Sequence, residues 1–473
     1  MEQIFDLVII GGGPAGYEAA LEAAKYRMKT ALIEKDKIGG TCLNRGCIPT
    51  KTLLHSCELY AQMKKCSAFG IHSDEVRCSM EEIQERKAEV LGTLRDGILS
   101  LMKKNKITVY SGCGRLLDAN HVQVCAENEQ DPNVVLETKN ILIASGSVPA
   151  MPPIPGIHLP NVLTSDELLD KKDVFASLTI IGGGVIGMEF AAIYSALGCK
   201  VTVIEFLDRI LANMDKEISQ NLKMILKKRG VDIFTGARVE EILPDESGRL
   251  ICRYREKDVL KEAVSEGILA AVGRRAYAEG LFSDVFVCKS EEDMNISDGK
   301  LFIKTERGCI CVDNFGRTSI PNIYAAGDVT GGVMLAHAAT AQAVNAVCHM
   351  AGGAPVFSME CIPGCVYTDP EIGSVGMTQD EAKKAGIHVI VKKYPMSANG
   401  KTVLSSQERG FIKVVADEES RRILGAQMMC ARASDMISQF TAAIVSGLTL
   451  EQMASVIYPH PTFSEGIGEC VRA

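Results

Sequence analysis

The sequence predicts an α/β fold with two Rossmann-like dinucleotide-binding domains, followed by a C-terminal α+β domain. Two glycine-rich fingerprints of equal spacing predict the first two domains, because each lies between an apolar strand-like run and a helix-like run. The third observation is a change from Ala354 onward to short strand-like runs mixed with a longer helical pattern. The chain has 473 residues, which is enough for about three or four domains.

The first fingerprint follows the apolar run 7–10 and has its glycines at Gly11, Gly13 and Gly16. A helix-like stretch and a second strand-like run come next, and the second run ends at Glu34. Such glycines allow a tight turn and the close approach of a pyrophosphate, which the helix N-terminus stabilises. Glu34 is placed to accept a hydrogen bond from a ribose hydroxyl, so this unit is predicted to bind a dinucleotide.

The second fingerprint repeats this pattern with Gly182, Gly184 and Gly187, and its second strand-like run ends at Glu205. The acidic residue lies at the same distance from the last glycine in both copies. A carboxylate pairs with a free ribose 2′-hydroxyl and repels a 2′-phosphate, which needs arginine or lysine. Although Arg209 is only four residues further on, Glu205 predicts NAD rather than NADP.

Other periodic stretches predict the remaining main elements. Residues 81–104 carry apolar side chains near the 3.6-residue period, which is typical of an amphipathic helix with one face in the core. Further helices are predicted at 17–26, 188–197, 331–350 and 433–447, and a proline-rich linker at 149–160.

Two cysteines, Cys42 and Cys47, lie in the segment 39–51, which reads GGTCLNRGCIPTK. Pro49 and a helical run follow them, and proline is favoured in the first turn of a helix. The cysteines therefore lie at or just before a helix N-terminus, where the partial positive charge favours a thiolate. This arrangement predicts a lowered cysteine pKa and thiol–disulfide chemistry.

The composition excludes several other classes of protein. The net charge of −8 does not indicate a nucleic-acid partner, and no apolar run is long enough to span a membrane. No basic segment followed by an apolar one begins the chain, so a cytoplasmic protein with most of its seventeen cysteines as thiols is predicted. The nearby cysteine pairs at 309 and 311 and at 361 and 365 lack a second pair at zinc-site spacing, so no metal site is predicted.

The cysteine segment, both fingerprints and the stretches 322–329 and 458–465 together resemble the pyridine nucleotide–disulfide oxidoreductase family. The resemblance covers nearly the whole chain, with Arg45 as a mild departure from the family's cysteine motif. Within the family, the pattern is similar to the branch that oxidises protein-bound dihydrolipoamide with NAD⁺. The ending His-Pro-Thr-Phe-Ser-Glu, which contains His460 and Glu465, carries that narrower likeness.

The resemblance implies FAD in the first domain, NAD in the second and a redox disulfide between Cys42 and Cys47. It also implies a homodimer in which a base, His460, is oriented by Glu465 and serves the cysteines of the other subunit. The residues implied to contact FAD are Gly11, Gly13, Gly16, Glu34, Thr41, Lys51, Gly114, Ser145, Gly146, Asp328, Met334, Ala336 and His337. Those implied to contact NAD are Gly182, Gly184, Gly187, Glu189, Glu205, Val239 and Gly273.

The resemblance further implies four segments: an FAD-binding domain at 1–149, an NAD-binding domain at 150–273, a central domain completing the FAD site at 274–350, and a dimerisation domain at 351–473. The implied partners are lipoyl domains of a 2-oxo acid dehydrogenase complex or of the glycine cleavage system. The alternative is another disulfide or metal-ion reductase of the family, similar to mercuric reductase. Such an enzyme should carry adjacent cysteines near its C-terminus, where this chain has only Cys470.

Overall fold

The structure is a computed structural model that describes residues 4–125, 134–289, 300–408 and 410–473. The chain divides into two compact units. The first comprises Met1–Thr52, Gln84–Ala150 and Arg274–Met359, and the second comprises Leu53–Ile83, Met151–Gly273 and Glu360–Ala473. The division of the sequence into four named domains stays a prediction.

The elements are numbered along the chain. The first half contains β1 Phe5–Ile10, α1 Pro14–Lys25, β2 Thr30–Glu34, α2 Gly40–Arg45, α3 Cys47–Lys64, α4 Met80–Lys104, β3 Thr108–Ser111, β4 Cys113–Leu116, β5 His121–Cys125, β6 Val134–Ile143, β7 Ser147–Pro149, β8 Val162–Leu163, α5 Ser165–Leu169, β9 Ser177–Ile181, α6 Val185–Ala196, β10 Lys200–Glu205, α7 Lys216–Lys228 and β11 Asp232–Thr235. The second half contains β12 Ala237–Pro244, β13 Leu250–Glu256, β14 Val259–Ser265, β15 Gly267–Ala270, β16 Arg274–Ala276, β17 Phe286–Lys289, β18 Leu301–Glu306, β19 Cys309–Ile310, β20 Ile323–Ala325, α8 Ala336–Met350, β21 Gly364–Val366, β22 Ile372–Gly376, α9 Gln379–Lys384, β23 Val389–Pro395, α10 Gly400–Leu404, β24 Phe411–Asp417, β25 Ile423–Met429, α11 Ala433–Val445, α12 Leu450–Ala454 and α13 Glu465–Arg472.

The first unit is built on a parallel sheet of order β3-β2-β1-β6-β20. Four consecutive residues of β1, 7–10, are buried, as expected for a strand that is covered on both faces. Helices α1 and α8 pack on each other through small side chains, including Ala15, Ala19 and Ala343, which allow close approach. The hairpin β4–β5 continues antiparallel from β6.

The second unit contains two five-stranded sheets besides the smaller antiparallel sheet β12-β13-β14. One is parallel, of order β11-β10-β9-β15-β8, and the other is antiparallel, of order β21-β22-β25-β24-β23. The Lys413 ammonium of β24 is buried and lies 2.8 Å from the carboxylate of Asp215, which caps the N-terminus of α7. A buried cation needs such a partner, and this pair joins the C-terminal sheet to the nucleotide-binding part of the same unit.

The α/β class with its C-terminal α+β part is confirmed, and the differences from the prediction lie at helix starts. Helices α1 and α6 begin three residues before the predicted 17 and 188 and include the third glycine of each fingerprint. Helix α8 begins at Ala336 rather than 331, because Gly331 and Gly332 have φ of +74° and +66°, outside the helical region.

Candidate active site

The glycines of the first fingerprint have different structural roles. A Cβ atom at Gly11 would overlap the carbonyl oxygen of Ala144, and one at Gly16 would overlap the carbonyl oxygen of Gly11. At Gly13 the nearest atom to an added Cβ is the Cα of Gly40, 3.7 Å away. Packing therefore requires the outer two glycines, whereas Gly13, the N-cap of α1, leaves bare backbone N–H groups that fit a pyrophosphate.

The carboxylate of Glu34 closes this glycine loop. Its Oε2 accepts a hydrogen bond from the Gly12 N–H at 2.6 Å, and its Oε1 accepts one from the Asp36 N–H at 2.9 Å. Burial raises the pKa of Glu34, and the hydrogen bond from Gly12 and the charge of Lys35 oppose this rise. A carboxylate oxygen can accept more than one hydrogen bond, so Glu34 retains capacity for a ribose hydroxyl.

The second fingerprint has the same geometry. A Cβ at Gly182 would overlap the carbonyl oxygen of Ala271, and one at Gly187 that of Gly182, whereas Gly184 has open space. The carboxylate of Glu205 accepts hydrogen bonds from the N–H groups of Gly183 and, at 2.6 Å, Leu207. The residues of both fingerprints therefore fit a dinucleotide.

The cysteine segment packs directly on the first glycine loop. The Gly39 N–H donates to the Gly12 carbonyl at 2.8 Å, and a Cβ at Gly40 would lie only 2.5 Å from the Cα of Gly13. Cys42 is in the short helix α2, and Cys47 is the first residue of α3. The structure therefore brings the predicted redox pair and the predicted pyrophosphate site together.

The side chains of Cys42 and Cys47 are hydrogen-bonded to each other. This bond, followed by burial and the charge of Cys47, raises the pKa of Cys42, and the Lys51 ammonium lowers it by less. The predicted lowered pKa is therefore wrong for Cys42. Cys42 is the third residue of α2 and so lies in its first turn, but the contact with the Cys47 side chain and burial outweigh the effect of that helix terminus.

Asp328 is fixed by a small polar network in the same unit. The Ser147 hydroxyl donates to Asp328 Oδ2 at 2.5 Å and accepts from Arg274 Nε at 2.7 Å. The Ser145 hydroxyl donates to the Tyr277 carbonyl at 2.6 Å, and the Gly146 carbonyl accepts from the Tyr277 N–H. The loop after β6 is thus tied to the strand that begins at Arg274.

The other residues predicted at FAD lie around these elements. Thr41 is in α2 and Lys51 is in the first turns of α3. Gly114 packs on the end of β1, where an added Cβ would lie 2.9 Å from Ile10 Cγ2. Met334 precedes α8, and Ala336 and His337 are its first two residues.

Three other residues that are predicted to contact NAD lie outside the second glycine loop. Glu189 is buried in α6, and its Oε1 accepts from the Tyr367 N–H at 3.1 Å. Val239 is in β12 beside an irregularity of the ladder. Gly273 follows β15 with φ of +125°, and an added Cβ there would meet nothing within 4 Å.

His460 and Glu465 form a pair in the second unit. His460 Nδ1 lies 2.8 Å from Glu465 Oε1, while Glu465 Oε2 accepts from the Thr462 N–H at 2.8 Å. These bonds lower the pKa of Glu465. Since a carboxylate only accepts, Nδ1 carries the proton and Nε2 is the basic nitrogen, on a side chain that is 77% exposed.

Sequence reasoning missed several residues that build the site. Asn44 donates to the carbonyls of Lys37, Ile38 and Gly40 and accepts from Arg95, and so fixes the cysteine segment. Ser147, Arg274 and Tyr277 were likewise missed. The available signal for Asn44 was its position between the two cysteines, two residues before Gly46. No sequence signal pointed to the other three, because their partners are distant in the chain.

The described residues contain neither a candidate membrane-spanning helix nor a candidate metal cluster. Nowhere in the described part of the chain is a helix both long and apolar enough to cross a membrane. Within the same ranges, no three or more His, Cys, Asp or Glu side chains are grouped to hold a metal ion.

Two dinucleotide-binding folds, a cysteine pair against one of them and a histidine–carboxylate pair define the class of a nucleotide-dependent thiol–disulfide oxidoreductase. Comparison with known proteins agrees. Residues 5–343 match the model of the pyridine nucleotide-disulphide oxidoreductase family, and residues 362–471 match its dimerisation domain. The chain belongs to this family, is an oxidoreductase that uses FAD and NAD, and has a dimerisation domain that supports a homodimer.

Individual relatives are similar over most of their length. The chain is 41% identical to dihydrolipoyl dehydrogenase of Bacillus subtilis, with 99% of this chain and 98% of the relative covered. It is 36% identical to the mitochondrial dihydrolipoyl dehydrogenase of Bos taurus, with 98% and 89% covered. Among solved structures, LpdA from Mycobacterium tuberculosis has a TM-score of 0.88 at 26% identity, with 99% of each chain covered. The HOCl-induced flavoprotein disulfide reductase RclA of Escherichia coli, in its complex with Cu(II), has a TM-score of 0.84 at 29% identity, with 99% of each chain covered.

Proposed function

We propose that this chain oxidises protein-bound dihydrolipoamide to lipoamide with reduction of NAD⁺, the activity that its relatives' name describes. The observation that carries the proposal is the His460–Glu465 pair, whose geometry suits a general base for a thiol. The alternative is another disulfide or metal-ion reductase of the family, and an enzyme similar to mercuric reductase is expected to lack this His–Glu ending.

In the proposed reaction, Nε2 of His460 of the partner subunit takes a proton from one thiol of dihydrolipoamide. The resulting thiolate attacks Cys42 Sγ of the Cys42–Cys47 disulfide, and Cys47 leaves as a thiolate. The second substrate thiol then displaces Cys42, which takes up a proton, and lipoamide is released. The raised pKa of Cys42 supports its role as the sulfur that keeps the proton.

FAD and NAD⁺, when bound, supply the oxidation that returns the two cysteines to the disulfide. The residues that would hold FAD are those of the first fingerprint, Glu34, and the loops at Ser145 and Asp328. The Lys51 ammonium, which acts on Cys42 electrostatically, would stabilise negative charge beside the pair. Gly184 and Glu205 would hold NAD, and the Glu205 carboxylate would exclude a 2′-phosphate.

A direct assay tests the function. Purified protein should reduce NAD⁺ when given free dihydrolipoamide, with NADP⁺ much less effective, and Glu205→Ala should narrow that preference. Failure to turn over dihydrolipoamide, in protein that retains FAD, would reject the proposal in favour of another disulfide or metal-ion substrate.

We further propose a cytoplasmic location and, as partners, lipoyl domains of a 2-oxo acid dehydrogenase complex or of the glycine cleavage system. The protein should be isolated from its native cells together with its associated proteins, and lipoyl-lysine peptides should be identified among them. The protein that carries the lipoyl-lysine distinguishes the two complexes. Recovery without a lipoylated protein would count against both.

A further inference from the structure

Two cysteines outside the proposed catalytic pair lie directly opposite each other in the first unit. Strands β4 and β5 form an antiparallel ladder whose register pairs Cys113 with Cys125. Among the cysteines that the described residues place in strands, no other two are cross-strand partners. The proposed reaction uses neither of these thiols.

The spacing of opposite residues in such a ladder fits a disulfide. Opposite Cα atoms are about 4.5 to 5.5 Å apart in antiparallel pairs. Disulfides join cysteines whose Cα atoms are about 4.4 to 6.8 Å apart. Opposite residues also project their side chains from the same face of the sheet, so the two cysteine side chains are neighbours without a change of register.

The thiols are accessible from solvent. Along the hairpin the alternate residues Leu116, Val122 and Val124 are buried, which leaves the cysteines on the opposite face. Cys113 is exposed and Cys125 is half-buried. A small reagent can therefore reach the pair without unfolding of the chain.

We propose that Cys113 and Cys125 form a reversible disulfide by exchange with a low-molecular-weight disulfide such as oxidised glutathione. The Cys113 thiolate attacks one sulfur of that disulfide, a mixed disulfide forms and one glutathione thiolate leaves. The Cys125 thiolate then attacks the Cys113 sulfur, and the second glutathione leaves. Two protons and two electrons pass from the cysteines to oxidised glutathione, and an excess of reduced glutathione reverses the exchange.

The residues on either side of Cys113 contact the part of the first unit that is predicted to hold FAD. The residue before Cys113, Gly112, donates its N–H to the Glu34 carbonyl at 2.9 Å, and the residue after it, Gly114, packs on the end of β1. The disulfide would therefore fix β4 to β5 beside the loop predicted to hold FAD.

Peptide mapping of the holoenzyme tests the proposal. Trypsin separates the two cysteines, since the peptides 107–115 and 116–139 each contain one cysteine. After treatment with oxidised glutathione and quenching with N-ethylmaleimide, wild-type protein should give these peptides linked to each other. Reduced glutathione in excess should return both to the alkylated form.

Matched variants sharpen the result. In Cys113→Ser the peptide 116–139, and in Cys125→Ser the peptide 107–115, should carry glutathione or N-ethylmaleimide instead of a link. Cys288→Ser, which removes an exposed thiol paired opposite Ile303, should leave the link intact. Wild-type protein in which both peptides are recovered unlinked, whether alkylated or glutathionylated, would overturn the proposal.

Discussion

At the scale of single residues, neighbouring charges and hydrogen bonds set the chemistry of the candidate site more than helix position does. Cys42 was expected to have a lowered pKa because a helix begins near it. Its raised pKa follows instead from the hydrogen bond with Cys47 and from burial, against a smaller effect of Lys51. Cys42 lies in the first turn of α2, but that helix terminus changes its pKa less than the neighbouring sulfur and burial do.

Replacement of Cys47 by alanine should lower the pKa of Cys42 in the reduced protein, because it removes the hydrogen bond and the charge that raise it. The folded protein should be alkylated at a series of pH values and then digested with trypsin. The rate at which Cys42 is labelled is read from the peptide 38–45, in which it is the only cysteine. The midpoint of that profile should move to lower pH. The midpoint reports the pKa rather than access, so an unmoved midpoint would show that Cys47 does not control Cys42.

Removal of the His460 side chain should lower kcat for dihydrolipoamide by about 10² to 10⁴, the range for general acid–base catalysis. Glu465→Gln should lower kcat by less, because the amide oxygen can still accept a hydrogen bond from Nδ1–H of His460. The neutral amide no longer stabilises a positive imidazolium, so some loss of kcat remains. The pKa of Glu465 is lowered, so the wild-type carboxylate is ionised above its folded-state pKa and stabilises the imidazolium there. This stabilisation is lost as the pH falls through that pKa. Steady-state kinetics across acidic pH measures both effects.

The matching control is the NADH-dependent reduction of a quinone, which needs neither the histidine nor a substrate thiol. That rate should be unchanged in both variants. Equal loss in the two assays would indicate damage to the fold rather than to the base.

At the scale of elements, each fingerprint contains two glycines that packing requires and one glycine that packing does not require. Gly16 and Gly187 lie inside helices, each against the carbonyl of the first glycine of its loop. Gly13 and Gly184 are N-cap residues in extended conformation, with φ of −74° in both, which any residue can adopt. The backbone therefore does not require glycine at either position, and the dinucleotide is the reason that we propose for it.

Two alanine variants of the second fingerprint should consequently behave differently. Gly184→Ala should leave the thermal unfolding midpoint unchanged and raise KM for NADH, because its Cβ enters only the open space at the helix N-terminus. Gly187→Ala should destabilise the protein by about 1–3 kcal/mol, the usual effect of overpacking. A destabilised Gly184→Ala with normal KM would contradict the assignment.

At the scale of the whole molecule, the proposed catalytic groups are divided between the units. Cys42 and Cys47 lie in the first unit, and His460 and Glu465 lie in the second, within the match to the dimerisation domain. The resemblance of the sequence implies that a complete site takes its cysteines from one chain and its base from the other.

Mixed dimers test this arrangement. Cys42→Ser and His460→Ala, each nearly inactive alone, should be co-expressed with different tags and purified as heterodimers. One site then holds both lesions, and the other combines intact Cys42 with intact His460. That second site should restore close to the normal rate per intact site. Heterodimers as inactive as their parents, with FAD content intact, would show that both residues come from one chain.

The sequence was sufficient for features that depend on local patterns. The fingerprints, the acidic residues at the ends of β2 and β10, and helix α4 were predicted within a few residues, because glycine spacing and apolar periodicity are local. The pairing of His460 with Glu465 was implied by the resemblance of the ending 458–465 to the family, and only five positions separate the two residues.

Tertiary structure alone decided what depends on residues that are distant in the chain. The Ser147–Asp328 bond joins positions 181 residues apart, and Arg274 reaches Ser147 from a strand that pairs with β7. The pKa of Cys42 and the opposition of Cys113 and Cys125 likewise arise from packing and register. Local sequence sets backbone conformation and side-chain chemistry, whereas proximity between distant residues exists only once the sheets have formed.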